Sequence, residues 1–177
     1  MDTFFEQLVI KKKTPPEKMM IVLIWIFAAI VILLLLVIFF FQLLDKISLL
    51  GMIAAFLVGF GAYKYTSRLD IEFEYSVTNG ELDIDKIIAR STRKRLISVS
   101  CKDVERFGAY KTAEHENTQY GKKMFACSYD AEHPYYIVTR QKEFGLTLLV
   151  MEPDERILTA LKKFVPRQGT SDGFRGN

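Results

Sequence analysis

Residues that carry covalent or metal chemistry are scarce in this chain. Two cysteines and two histidines are spread over 177 residues. Cys101, His115, Cys127 and His133 are the right types for zinc. However, none is spaced as C-x2-C or H-x3-H, so the pattern argues against a zinc site. No G-x-S-x-G, P-loop or G-x-G-x-x-G is present, and neither cysteine stands in a nucleophile signature. Nothing here supports an enzyme, and no metal or cofactor is expected.

Charge is the second thing in short supply, and its absence is local. Met19 to Leu44 is a run of 26 residues without a charged side chain, and Gln42 is its only strongly polar residue. At ~1.5 Å per residue such a helix crosses a ~30 Å hydrocarbon layer with some tilt. Asp45 and Lys46 follow, and Ile47 to Tyr63 is again uncharged over 17 residues. "AAIVILLLLVIFFF" is apolar on every side, which does not suit a buried helix of a soluble protein. It is also too long for the core of a signal peptide, and no small-residue cleavage site follows it. The expectation is a transmembrane hairpin with spans 19–44 and 47–63. Lys11, Lys12, Lys13 and Lys18 precede it, Lys64 and Arg68 follow it, and the turn holds only Lys46. The positive-inside rule then predicts a multi-pass protein of the cell membrane with both termini cytoplasmic. Neither span has an ionisable residue in its middle, which argues against a transporter, channel or proton relay.

The remainder lacks an excess of either sign. From Asp70 onward 17 acids meet 17 bases, so the formal +3 comes from the membrane portion. That balance gives no electrostatic case for nucleic acid. In a reducing cytoplasm Cys101 and Cys127 are expected as free, buried thiols.

The pattern of what is present divides the chain. Residues 1–18 form a cytoplasmic lead. Phe4, Phe5, Leu8 and Val9 fall at helical spacing, so the lead is either a short interfacial helix or a loosely ordered tail, set apart from the first span by Pro15-Pro16. In the second span Gly51, Ala55 and Gly59 recur every fourth residue. Such a small-residue stripe admits another helix, either the first span or a second copy in a homo-oligomer.

A β domain, 69–166, begins with almost no linker. "DIEFEYSV" alternates Ile71, Phe73, Tyr75 and Val77 against Glu72, Glu74 and Ser76, as a half-buried strand does. Asn79-Gly80 is a hairpin turn, and "ELDIDKII" returns with Leu82 and Ile84 inward. This pairs Thr78 with Glu81, Ser76 with Asp83 and Glu74 with Asp85. Further strands read from "RKRLISVS", "CKDVERFGAYKT", "KMFACSYD", "YYIVTRQKE" and "FGLTLLVME", with a polar loop at Thr112 to Lys122. "EPDERILTALKKF" is an amphipathic helix with Pro153 at its first position and Ile157, Leu158, Leu161, Phe164 and Val165 on one face. Residues 167–177 read as a disordered tail. The expected fold is an α+β membrane protein. Its helical hairpin precedes an antiparallel barrel or bent sheet of about six or seven strands, capped by the final helix.

That order, with "YSVTNGELDI", "RLISVSCKDVERF" and "PDERILTALKKF", resembles the bacterial pleckstrin-homology-like domains, which often follow a pair of transmembrane helices. "MDTFFEQLVIKKK" with "TNGELDIDKII" is similar to an uncharacterised family of small Clostridia-type membrane proteins that carry a domain of unknown function. The resemblance implies a fold and a binding role. It carries no site residues.

Two charged groups are candidates for contact. Glu72, Glu74, Asp83 and Asp85 share the outer face of the first hairpin, where like charges opposite one another are unfavourable. They are either solvated or ion-paired to Arg93, Lys94 or Arg95, or they bind a protein partner. A divalent cation, and with it a metal-dependent hydrolase, is the remote alternative. The cluster Arg90, Arg93, Lys94 and Arg95 either neutralises those acids or touches anionic lipid of the adjacent bilayer. The function expected is a membrane-tethered, non-enzymatic binding or scaffolding module.

Overall fold

The computed structural model describes residues 4–41 and 48–166. The turn around Asp45 and Lys46 and the tail 167–177 lie outside the described residues.

The lead is where the structure departs most from the sequence reading. Phe4–Ile10 is not an interfacial helix but a strand, β1. It pairs antiparallel with β2, Ile71–Thr78, with Val9 opposite Phe73 and Gln7 opposite Tyr75. The inward residues Phe5, Gln7 and Val9 alternate with outward Phe4, Glu6 and Leu8, which is the period of a strand. β1 therefore belongs to one compact unit with everything from Ile71 onward, and residues 13–70 form a second unit. The apolar helices are an insertion between the first two strands of a single domain.

In that domain β3 (Glu81–Ile88) returns from β2 in the register read from the sequence, Thr78 to Glu81 and Glu74 to Asp85. Asn79 and Gly80 both have positive φ, as a two-residue hairpin turn requires. β4 (Thr92–Ser100) completes a four-stranded sheet ordered β1-β2-β3-β4. A short 3-10 turn at Cys101–Asp103 leads into β5 (Val104–Ala109). One helical turn, α3 (Thr112–His115), and β6 (Lys122–Phe125) follow, then β7 (Tyr135–Gln141) and β8 (Gly145–Met151). These build a second sheet ordered β5-β7-β8-β6.

Two expectations are corrected here. The strands number eight among the described residues, and they form two separate sheets rather than a closed barrel. β6 runs parallel to β8, so the second sheet is mixed. A parallel neighbour needs a long crossover, and 122–125 reach β8 only by way of β7.

The core lies where the inner faces meet. Tyr75, Leu82, Ile84, Phe107, Leu149 and Met151 are fully buried there. The last helix closes it: α4, Glu155–Phe164, inserts Ile157 and Leu161. Pro153 stands outside this helix. Its N-cap is Asp154, whose carboxylate accepts from the Ile157 N–H at 2.8 Å. Tyr75 crosses the core polar-end first. Its hydroxyl donates to the Ala126 carbonyl and accepts from the Glu152 N–H at 3.2 Å, and burial pushes its phenol pKa up.

In the second unit, α1 spans Pro15–Phe41 and α2 spans Ser48–Ser67. Pro15-Pro16 do not separate α1 from the lead; they start it. The Thr14 N–H donates to the Glu17 carboxylate at 2.7 Å, which is half of a capping box, and Pro15 occupies the first helical position. Both helices are long and apolar enough to cross a membrane. Their large side chains point outward, Trp25, Phe27, Leu33 and Phe56 among them, while Ala28, Ala55 and Ala62 are buried. A Cβ built on Gly59 would make ordinary contact with Ile32, so this part of the Gly51, Ala55, Gly59 stripe faces the partner helix of the same chain. Lys13 and Asp70, at the two ends of the unit, form an ion pair at 2.7 Å.

Candidate functional site

The first sheet has two faces of opposite character, and a bulge decides which residues each receives. β3 and β4 stay in phase as far as Ile84 opposite Ile97. The register then shifts, so that Asp85 faces Arg95 and Lys86 faces Lys94. Leu96 is the extra residue of a β-bulge. Its insertion turns Arg93 and Arg95 to the outer face and Lys94 to the inner one.

On the outer face the acids and arginines interlock. Arg95 pairs with Asp85 and, at 2.7 Å, with Asp83. Arg93 pairs with Glu74 and reaches Asp85 at 3.8 Å. Arg90, whose φ is positive in the β3–β4 turn, reaches Glu72 at 3.2 Å. Each of Glu72, Glu74, Asp83 and Asp85 thus has an arginine. Burial pushes the Glu74 carboxyl above its ordinary range, against the pull of Arg93. The carboxylates are the less exposed partners throughout, and exposed guanidinium groups lie over them. Among the described residues no three His, Cys, Asp or Glu side chains are placed to hold a metal ion.

On the inner face one row runs Val9, Phe73, Lys86, Lys94 across the four strands. Residues paired in an antiparallel ladder point to the same side, so two lysines stand directly opposite one another where the rest of the row is apolar. Neither makes an ion pair with a described residue, whereas Arg90, Arg93 and Arg95 all do. Lys94, which the sequence places in one cluster with those arginines, is separated from them by the pleat.

Beside this row a cavity of about 570 Å³ opens. Lys11, Ile71, Phe73 and Lys86 form one wall, and Tyr110, Phe125, Ser128 and Val150 are among the residues facing them. The end of β1 is fastened to the far wall. The Lys12 N–H donates to the Ser128 hydroxyl at 3.1 Å, and its ammonium pairs with Asp130 at 3.0 Å. The Ser128 hydroxyl and Lys12 together hold the Asp130 carboxyl below its usual range. Cys127 also lines the cavity, but burial pushes its thiol up to about 11, as it does for Cys101, so both stay protonated and poorly nucleophilic.

The four residues with zinc-type side chains are not brought together. His115 instead packs into an aromatic nest. Its ring stacks on Tyr110 at 5.4 Å, meets Tyr136 edge-on at 4.3 Å, and its Nδ1 lies 2.7 Å from the Tyr120 hydroxyl. Nε2 is buried without a hydrogen-bond partner among the described residues.

Sequence reasoning missed the opposed lysines. The signal was there: once Asn79-Gly80 sets the register, Lys86 falls in the inward slot after Leu82 and Ile84. Placing Lys94 opposite it required the bulge, which leaves no mark in "RKRLIS".

Comparison with known proteins adds one finding. Residues 1–171 match the family model described as Bacterial PH-like domain (DUF6106), which includes the strand that precedes the helices. No curated protein matches the chain, and no solved structure matches it.

Proposed function

The chain belongs to the bacterial PH-like domain family, and from that premise we propose that it is a membrane-tethered, non-enzymatic binding module. One observation carries this reading: the two apolar helices are inserted between β1 and β2 of the binding domain. An anchor appended through a flexible linker could be separated from its domain. An insertion, with three residues between Lys11 and α1 and three between Ile71 and α2, is joined to the domain at both ends. The arrangement suits a protein whose task depends on where the domain is held, with both chain termini on the cytoplasmic side.

The surface offered to a protein partner is the outer face of β2, β3 and β4. Its arginines lie exposed over carboxylates, so a partner can exchange ion pairs with it at little desolvation cost. The test is capture of the full-length protein from native membranes after mild solubilisation, next to a variant carrying Glu72→Lys and Arg93→Glu. A stoichiometric partner lost from the variant supports the proposal. Identical co-purifying sets for the two proteins overturn this choice of surface. A second reading, contact of the basic cluster Arg90, Arg93, Lys94 and Arg95 with anionic lipid, is favoured only by the exposure of the three arginines, since Lys94 lies on the other face; Arg93→Glu with Arg95→Glu tests it on anionic vesicles.

A further inference from the structure

Like charges directly opposite one another in a sheet are unfavourable, and a lysine on the inner face of a sheet loses part of its hydration. Lys86 and Lys94 are paired residues on the inner face, and no carboxylate among the described residues answers them; Lys86 is half-buried and lines the cavity, while Lys94 stands exposed beside it, outside the lining. Asp130, next in sequence to the lining residues Tyr129 and Ala131, is already taken by Lys12 and Ser128. Lys11 is the other amine of the lining. The rest of the lining supplies the other half of a ligand. Phe73, Phe125 and Val150 are apolar, and Phe125 is 53% exposed although it lies on a strand of a well-packed sheet.

We propose that this cavity holds one anionic amphiphile, with its carboxylate or phosphate head on Lys86 and Lys94 and its hydrocarbon chain along Phe73, Phe125 and Val150. A volume of about 570 Å³ falls in the ordinary range of small-molecule sites. It suits a single chain rather than a two-chain lipid. A purely inorganic anion would leave the aromatic wall wet, and a neutral hydrocarbon would leave the lysines unanswered. Membrane insertion of α1 and α2 would supply such molecules nearby, but the recognition chemistry does not depend on it. The site is also distinct from the outer-face surface proposed for a protein partner.

The experiment uses the full-length protein in a non-ionic detergent, titrated with dodecanoate, dodecyl phosphate, dodecanol and inorganic phosphate, with adducts counted by native mass spectrometry. The expected result is one adduct per chain with an anionic dodecyl probe, bound at least about tenfold more tightly than dodecanol or inorganic phosphate. Preference for the carboxylate or for the phosphate identifies the source of the head group, and either supports the site. Lys86→Gln and Lys94→Gln should each weaken binding about tenfold, Phe125→Asp should weaken it without touching the lysines, and Lys142→Gln, at an exposed lysine outside the lining, should leave it unchanged. Equal binding of dodecanol, equal binding of inorganic phosphate, or undiminished binding by both lysine variants would overturn the proposal. Lys94 and Phe125 are exposed, so these two variants test the site even if Lys86→Gln folds poorly.

Discussion

Gln7 and Asp154 are 147 residues apart and joined through one side chain. The Gln7 Oε1 accepts from the Asp154 N–H at 2.7 Å, and its Nε2 donates to the Glu152 carbonyl at 3.0 Å. A residue ahead of the apolar helices thus satisfies the two backbone groups that flank Pro153, where β8 ends and α4 begins. Replacing Gln7 by alanine leaves both groups unanswered in a partly buried place. The expected loss is about 1–3 kcal/mol, read as a lower melting temperature of the full-length protein in detergent. An unchanged melt would show that the clamp holds nothing.

The tight end of the first hairpin gives a second prediction. Gly80 has a φ of +87°, and a Cβ there would come within 3.1 Å of the Phe164 ring on α4. Gly80→Ala should cost about 1–2 kcal/mol for the left-handed backbone alone, plus whatever is needed to move Phe164. The double variant Gly80→Ala with Phe164→Leu should recover part of the loss in chemical denaturation. No recovery would place the whole effect in the backbone.

His115 makes stability depend on pH. Burial lowers its pKa below the ordinary imidazole value, helped by Arg106 and Lys123 and opposed by Glu114. The unfolded chain takes up a proton near pH ~6.5. Between that value and the lowered folded value the unfolded state holds more protons, so stability falls as the solution is acidified through this window. The full contribution is present above pH ~6.5. Melting temperature measured from pH 7.5 to 5.5 should decline, and His115→Phe should flatten the decline. An equal slope in the variant would assign it to another group.

Topology is open to chemical labelling. Ser91, exposed in the β3–β4 turn, carries a single reactive cysteine in a Ser91→Cys variant with Cys101 and Cys127 replaced by serine or alanine. An impermeant maleimide should fail to label it on intact cells and label it after lysis. Labelling on intact cells would reverse the orientation derived from the flanking lysines.

Much of this fold is legible in the sequence because local signals agree with one another. Asn79-Gly80 flanked by alternating residues sets the register from Ile71 to Ile88, and the run from Leu146 to Met151 announces a strand covered on both faces. The strand Phe4–Ile10 is harder to see. Its outward positions Phe4, Leu8 and Ile10 are apolar and exposed, so "FFEQLVI" shows no clean alternation, and its partner lies beyond both helices. The pairing of acids with arginines follows from charge and adjacency. The opposed lysines do not, because a bulge at Leu96 shifts Thr92 to Arg95 by one relative to Ile97 to Ser100, and no local composition encodes that shift.

The placement of β1 imposes a parity condition. If the helices cross a bilayer, Phe4–Ile10 and Ile71–Thr78 can meet only when the number of crossings between them is even. One helix left uninserted would strand the edge of the sheet on the far side, leave Gln7 without Glu152 and Asp154, and expose the inner row at Phe73. The strand is also synthesised first and becomes useful only about sixty residues later, when β2 emerges. If the helices do cross, the domain is therefore a check on its own anchor: its first sheet closes when both helices cross, and fails to close when only one does.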